Sequence, residues 1–352
     1  MSTVELTDLE HRGGEWLRGG GVHADTVISS RVRLARNIEG YAFVPRASEE
    51  VRQSIVDRLK EPLAQLQLQA KGFYVDIDSA DDLDSGFLVE RHLISRELQN
   101  GSGPRGVAFG SDEVIAIMVN EEDHLRIQAV KTSFAIREAY EQALRIDQQM
   151  EQHVPFAASD RWGYLTSCPT NVGTGLRASV MLHLPALVQM KQVEKLFHAT
   201  KHTGLTVRGF YGEGTMASGD LYQISNQVTL GKDENAILEG LEKMLPAILR
   251  YESRCRDELQ APRHRLKLED RCHRALALLR SARMLSSDEA MQQLSLVRLG
   301  LVLGVLGGIE LARVNELFAL VQPAHVQKLA ESHLESSDRD AARAALVRRA
   351  LA

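Results

Sequence analysis

The run Asn120-Glu121-Glu122-Asp123-His124-Leu125-Arg126 sets three carboxylates side by side, directly after the apolar stretch Val114 to Val119. Neighbouring carboxylates repel and raise one another's pKa unless a cation or a bound metal compensates. Such a triplet is either a solvated acidic turn or a site with a task, and its place at the end of a buried, strand-like run favours the task. A second polar constellation runs from Ser167 to Ser179, SCPTNVGTGLRAS. Its glycines, small hydroxyl residues and Arg177 suit a backbone nest for phosphate, but the spacing is neither GxxxxGK(S/T) nor GxGxxG, which excludes a Walker-type kinase. Cys168 within it reads either as a small buried residue or, beside several arginines, as a reactive thiol. The arginines form the third group. Arg31 and Arg33 alternate in ISSRVRL and share one face of a strand, while Arg126, Arg177 and Arg208 sit at strand ends or in loops of small residues. Guanidinium groups bind phosphate oxygens bidentately, so a cluster of them holds a triphosphate without a P-loop lysine.

The elements that must carry these residues are mixed up to about residue 255 and almost entirely helical beyond it. Val114 to Val119, Thr206 to Tyr211 and Leu221 to Leu230 read as strands. Between the last two lies GEGTMASGD, small and flexible enough for a mobile active-site loop. A polar stretch from Arg254 to Leu268, carrying Pro262, interrupts a helix ending near Leu259 and marks a boundary. Beyond it, Ser286 and Glu289 fit a capping box, and Met291, Leu294, Val297, Leu301 and Val305 recur at helical spacing. The organisation expected is a catalytic domain over 1–256 and a helical C-terminal domain over 265–352.

Composition narrows the function. With 44% hydrophobic and 25% charged residues and a formal charge of −5, the chain has the make-up of a globular protein. The charge gives no basic field for nucleic acid or membrane surfaces, so any anion site is built locally. Three widely spaced cysteines argue for a reducing compartment, with the cytoplasm the default. The N-terminus lacks a signal-peptide core, and Leu299 to Ile309 is too short and glycine-broken for a membrane span. Cys255, His264, Cys272 and His273 lack zinc-like spacing and read as structural.

NEEDHLR, SCPTNVGTGLRASV, SSRVRLAR, VRGFYGEG and YQISNQVTLG together resemble the motifs of the phosphagen (guanidino) kinases over Val27 to about Leu230. Two features resemble the bacterial protein arginine kinase branch of the McsB type. Only 28 residues precede Ser29, where small-substrate kinases carry a helical domain, and Arg339-Asp340-Ala341-Ala342-Arg343-Ala344 matches the RDxxRA motif of that branch. The resemblance implies an α+β fold: a catalytic domain with a central antiparallel sheet flanked by helices, then a small all-helical domain. It also implies ATP-dependent phosphorylation of protein arginines, with Mg2+ bound through the nucleotide. Glu122 and Glu213 are then the carboxylates gripping the guanidinium, and Cys168 the active-site thiol. Ser29, Ser30, Arg31, Arg33, His92, Arg126, Arg177, Ala178, Ser179, Val180, Met181, Arg208, Gly209, Phe210, Tyr211 and Gly212 contact the nucleotide, and Glu121 helps hold Mg2+ through water. Met181 departs from the family, where small-substrate kinases have a histidine. Arg339, Asp340, Arg343 and Ala344 form an allosteric phosphoarginine site. Further implications are marking of proteins for the Clp protease, relief of a heat-shock repressor, a zinc-binding activator partner and a homodimer. The rivals are a kinase for free arginine or another small guanidino metabolite, and an adaptor that reads phosphoarginine.

Overall fold

In VISSRVRLAR arginines alternate with apolar residues from Arg31 to Leu34, and Val27, Ile28 and Val32 are β-branched, the pattern of a strand with two different faces. In the computed structural model, which describes residues 6–10, 13–68, 70–201, 203–209, 218–330 and 333–352, it is the central strand of an eight-stranded antiparallel sheet. In chain order the elements are α1 (Thr7–Glu10), β1 (Val27–Arg36), α2 (Glu49–Gln65), β2 (Gly72–Asp76), α3 (Asp82–Glu90), α4 (Arg96–Asn100), β3 (Gly106–Gly110), β4 (Ile115–Val119), β5 (Leu125–Thr132) and α5 (Ile136–Glu151). A small hairpin, β6 (Ala158–Ser159) and β7 (Gly163–Tyr164), leads to β8 (Leu176–His183), α6 (Pro185–Gln189), α7 (Val193–Lys201), β9 (Leu205–Gly209) and β10 (Leu221–Asn226). The rest is helical: α8 (Glu234–Gln260), α9 (Pro262–Ser281), α10 (Ser287–Val302), α11 (Leu311–Leu320), α12 (Pro323–Lys328) and α13 (Ser336–Ala350). The sheet order is β2-β3-β4-β5-β1-β8-β10-β9. The expected antiparallel sheet with flanking helices and a helical C-terminal region is what the chain forms.

Side chains alternate across the sheet, and the two faces have separate work. Val32, Leu34, Ile127, Ala129, Ala178, Val180 and Ile224 pack with Ile136, Ala139, Ala143, Ile146 and Met150 of α5 and with the apolar stripe of α8. Each large aliphatic side chain so buried contributes about 1.5–3 kcal/mol. The opposite face is polar along its middle. The pairings Arg33 with Gln128 and Arg177, Arg31 with Ser179, and Gln223 with Arg208 place these residues in one patch. Phe87 and Leu88 of α3 cover that face over β3 and β4. From the other end it is covered by α9, α10, α11 and α13, which share a core with Trp16, Ile28, Val130, Met181 and Leu221. A floor of polar side chains is left open between these two covers.

One sequence expectation shifts and another is met. The strand expected over Leu221 to Leu230 stops at Asn226, because Thr229 turns its hydroxyl to the carbonyls of Thr170 and Val172, at 2.8 and 2.7 Å. The polar stretch from Arg254 to Leu268 interrupts the helix near Leu259 as expected. It is helical except at Ala261, whose extended backbone (φ −60, ψ 148) separates α8 from Pro262 at the start of α9. Caps follow the sequence closely: Ser48, Asp81, Ser95, Asp233 and Ser286 each accept a backbone N–H at the start of their helices. No described helix is long and apolar enough to cross a membrane.

Candidate active site

A cleft of about 590 Å³ opens over the polar floor. Arg31 and Arg33 of β1, Arg126 of β5, Arg177 of β8 and Arg208 of β9 line it together, with Gln223 and Gln227 beside them. Arg31 Nη2 donates to Gln223 Oε1 at 2.8 Å and Arg177 Nη2 to Ser225 Oγ at 3.2 Å. Crowding marks these guanidinium groups. Burial, then Arg126 and Arg177, push Arg31 down to about 10. Burial, then Arg31, Arg126 and Arg177, push Arg33 well below its ordinary value against a weaker pull from Glu121. The buried Nε of Arg33 has no hydrogen-bond partner in the described chain. Such a floor is short of negative charge and fits a polyphosphate.

The acidic triplet is divided rather than pooled. Glu121 is buried, pairs with Arg126, and accepts from Ser95 Oγ at 2.5 Å and from the Glu122 backbone N–H at 2.8 Å. Burial raises its carboxyl, but Arg126, Ser95 and the Glu122 amide outweigh it and hold it below the usual range. Its oxygens are thus committed to protein, and Glu122, not Glu121, lines the cleft. Asp123 accepts from Asn37 Nδ2 and Ser167 N–H, both at 2.7 Å. Glu122 is half-buried, with Asn171 Nδ2 3.5 Å away. Burial raises its pKa, Asp123 and Glu121 add to the rise, and Arg126 and a hydrogen bond from Cys168 oppose it. Cys168 lines the cleft too, its Sγ 3.0 Å from Thr170 Oγ1. The loop bearing it is shaped by glycines: Gly173 has φ 111, and a Cβ on Gly175 (φ 65) would lie 2.6 Å from Ala35 O. Behind it Arg36, 2% exposed, pairs with Asp147 at 2.9 Å and lies 3.5 Å over the Tyr164 ring.

His92 closes one side of the cleft. Its backbone is left-handed (φ 58), and its carbonyl accepts from Gln128 Nε2 at 2.7 Å. Burial, then Arg31 and Arg33, lower its pKa to about 3, so the ring is neutral. It meets Trp16 edge to face at 4.8 Å. Trp16 belongs to a smaller adjoining cavity with Ser29, Ser179 and Met181, and no sequence signal singled it out. Ser95, Asn171, Gln223 and Gln227 were equally unassigned, although LYQISN places Gln223 and Ser225 on one face. Other expected contacts lie elsewhere. Ser30 is fully buried and bonds Ser133 O and Ala135 N–H. Ala178 and Val180 face the apolar core. Gly209 is buried opposite Tyr222. Phe210, Tyr211, Gly212 and Glu213 lie outside the described residues.

The RDxxRA residues fall on α13, away from the cleft lining. Arg339 Nη1 donates to Leu334 O at 2.9 Å. Arg343 is buried and donates to Val321 O, Leu285 O and Asp340 Oδ1 at 2.6, 2.7 and 2.6 Å, and Ala344 is fully buried beside it. Among the described residues no group of three His, Cys, Asp or Glu is placed to hold a metal ion.

A sheet floored with guanidinium groups and faced by a carboxylate whose pKa is raised is the frame of a guanidino phosphotransferase. Residues 54–255 match the ATP:guanido phosphotransferase C-terminal catalytic domain, and residues 265–352 the protein-arginine kinase McsB C-terminal domain. The crystal structure of lombricine kinase superposes with a TM-score of 0.58 at 27% identity, over 67% of this chain and 68% of that one. The protein-arginine kinase of Symbiobacterium thermophilum is 46% identical over 95% of both chains, and that of Bacillus subtilis 41% identical over 96% of this chain and 93% of its own. The chain belongs to the protein-arginine kinase family and is an enzyme that phosphorylates arginine.

Proposed function

We propose that the cleft holds ATP with its phosphates on Arg31, Arg33, Arg126, Arg177 and Arg208, and that an arginine side chain of another protein enters opposite, against Glu122. A guanidinium is a delocalised cation with little lone-pair density, so it needs both alignment and a proton acceptor. Glu122 supplies both. As the N–P bond forms, the bond from the γ-phosphorus to the bridging oxygen breaks, ADP leaves with that electron pair, and the guanidinium proton passes to Glu122. A raised pKa suits a carboxylate to this proton transfer. By the family's pattern Glu213 is the second carboxylate. The guanidinium floor stabilises the charge that builds on ADP. Mg2+, carried in by the nucleotide, would add positive charge on the phosphates beside that floor.

The observation that carries this reading is the convergence of five arginines, Glu122 and Cys168 on one cleft. A polypeptide acceptor is further supported by exposed apolar side chains near its mouth. Trp162 lies beside the Tyr164–Gly173 backbone pairing, and Val228 and Leu230 flank Thr229, which holds the Cys168 loop. In this reading the protein acts in the cytoplasm as a homodimer, marks proteins for a Clp-type protease, relieves a heat-shock repressor and is served by a zinc-binding activator. Arg339, Asp340, Arg343 and Ala344 then receive phosphoarginine as an allosteric signal.

The test is incubation with labelled ATP·Mg2+ and either an unfolded arginine-rich protein or free arginine. Acid-labile label on protein, absent with Glu122→Ala, is expected. Label on free arginine alone, or none on either, overturns the proposal.

A further inference from the structure

The helical region is fastened to the segment that carries His92. Glu90 ends α3, and its carboxylate accepts from the backbone N–H groups of Ala324 and His325 on α12, at 2.8 and 2.9 Å. The His325 ring reaches the same carboxylate through Nδ1 at 2.8 Å. Its Nε2 stands 3.2 Å from Arg91 Nη1, and Arg91 in turn grips Glu113, its Nε 3.1 Å from both oxygens. These partners define one form of the ring: neutral, with the proton on Nδ1 facing the carboxylate and Nε2 accepting from Arg91. His325 is fully buried and packs on Phe87 at 4.5 Å. At the same helix–helix contact Lys328 pairs with Asp84.

Two residues beyond Glu90 the backbone enters the left-handed region at His92. A non-glycine residue there costs on the order of 1 kcal/mol or more and persists only when its surroundings hold it. Gln128 holds the carbonyl of His92 from the sheet side. From the other side the preceding two residues are held by α12. We infer that Glu90 and His325 are positioning residues for the phosphotransfer reaction: through this latch the helical region fixes His92 at the side of the nucleotide cleft. Neither residue lines the cleft itself, so both act through His92. The inference rests on the nucleotide reading of that cleft.

The test uses the full-length enzyme and ADP·Mg2+ as probe, by titration calorimetry, with ATP kinetics on a protein acceptor alongside. His325→Leu keeps the bulk of the ring and removes both hydrogen bonds. The expected result is about a tenfold weaker ADP affinity and a matching rise in KM for ATP, with kcat within about twofold. His325→Asn, whose amide N–H reaches the position of Nδ1, restores most of the affinity. In a His92→Ala background the His325→Leu change adds less than about twofold, because the group it positions is gone. Equal weakening with and without His92, or unchanged ADP affinity in His325→Leu, overturns the latch. If His325→Leu does not fold, Glu90→Gln in the same two backgrounds gives the same comparison. Failure of the unaltered enzyme to bind ADP would instead overturn the nucleotide reading beneath it.

Discussion

Replacing Arg31 with methionine separates what the cleft does for binding from what it costs the fold. The lowering of Arg31 from 12.5 to about 10, at about 1.4 kcal/mol per tenfold, places roughly 3 kcal/mol on keeping that guanidinium charged in the empty cleft. The side chain is half-buried and the cleft opens to water, so solvent screening removes about half of this. Loss of the hydrogen bond to Gln223 gives back about 0.5 kcal/mol, since that amide can turn to water. The unliganded Arg31→Met enzyme is therefore more stable than its parent by about 1 kcal/mol, seen as a rise in Tm on the order of 2 °C. Its affinity for ADP falls by about 10- to 100-fold, the worth of one charge-assisted hydrogen bond to phosphate. Scanning calorimetry with and without saturating ADP·Mg2+ measures both. The parent gains more from nucleotide than the variant, so the two melting points cross as ADP is added. An unliganded variant less stable than the parent would refute the claim that burial and the neighbouring arginines make the Arg31 charge costly without nucleotide.

Glu122→Gln should lower kcat by about 100-fold or more while ADP affinity stays within a few-fold, because it removes the proton acceptor and leaves the phosphate floor. In the parent the acid limb of the kcat profile should lie above the ordinary glutamate pKa, since burial raises this group, with activity rising as pH rises through it. The sign for stability is the reverse. A carboxyl whose folded pKa is raised stabilises the fold at low pH and loses that contribution as pH rises through the folded value, so Glu122→Gln should be at least as stable as the parent at pH 7 by thermal unfolding. Iodoacetamide at neutral pH should modify Cys168 first, with loss of activity and protection by nucleotide, as mass spectrometry of the peptides can follow. Burial raises the thiols of Cys255 and Cys272, the latter to about 11, and slows them. Arg36→Leu should destabilise by about 3–5 kcal/mol in denaturant unfolding, because Asp147 is left buried without its cation.

The strands and the arginine face were legible because β alternation is local: ISSRVRL by itself places Arg31 and Arg33 together. The convergence of Arg126, Arg177 and Arg208 on them was carried by the motifs, since strand order is set by long-range pairing. The split of the acidic triplet came from the resemblance and not from the residues themselves. Adjacent carboxylates look alike in a string, and their roles depend on Arg126, Ser95 and Asn37, which arrive from three other elements. Trp16 escaped notice because one aromatic in a polar, glycine-rich stretch has no periodicity to announce it. The break before Pro262 was legible, because a proline has no N–H to continue the preceding helix.

Arg298 of α10 is fully buried and donates to the carbonyls of Ala24 and Asp25, to Asn315 and to His183 of β8, while Ser295 one turn earlier joins His183 to Asp220, just before β10. A cation so enclosed cannot lose its partners cheaply. The two halves of this enzyme are therefore heritable only as a pair. A chimera that grafts the helical region of one relative onto the sheet of another must keep an acceptor for Arg298 at position 183 and one for Ser295 at position 220, while the carbonyls at 24 and 25 come with any residue.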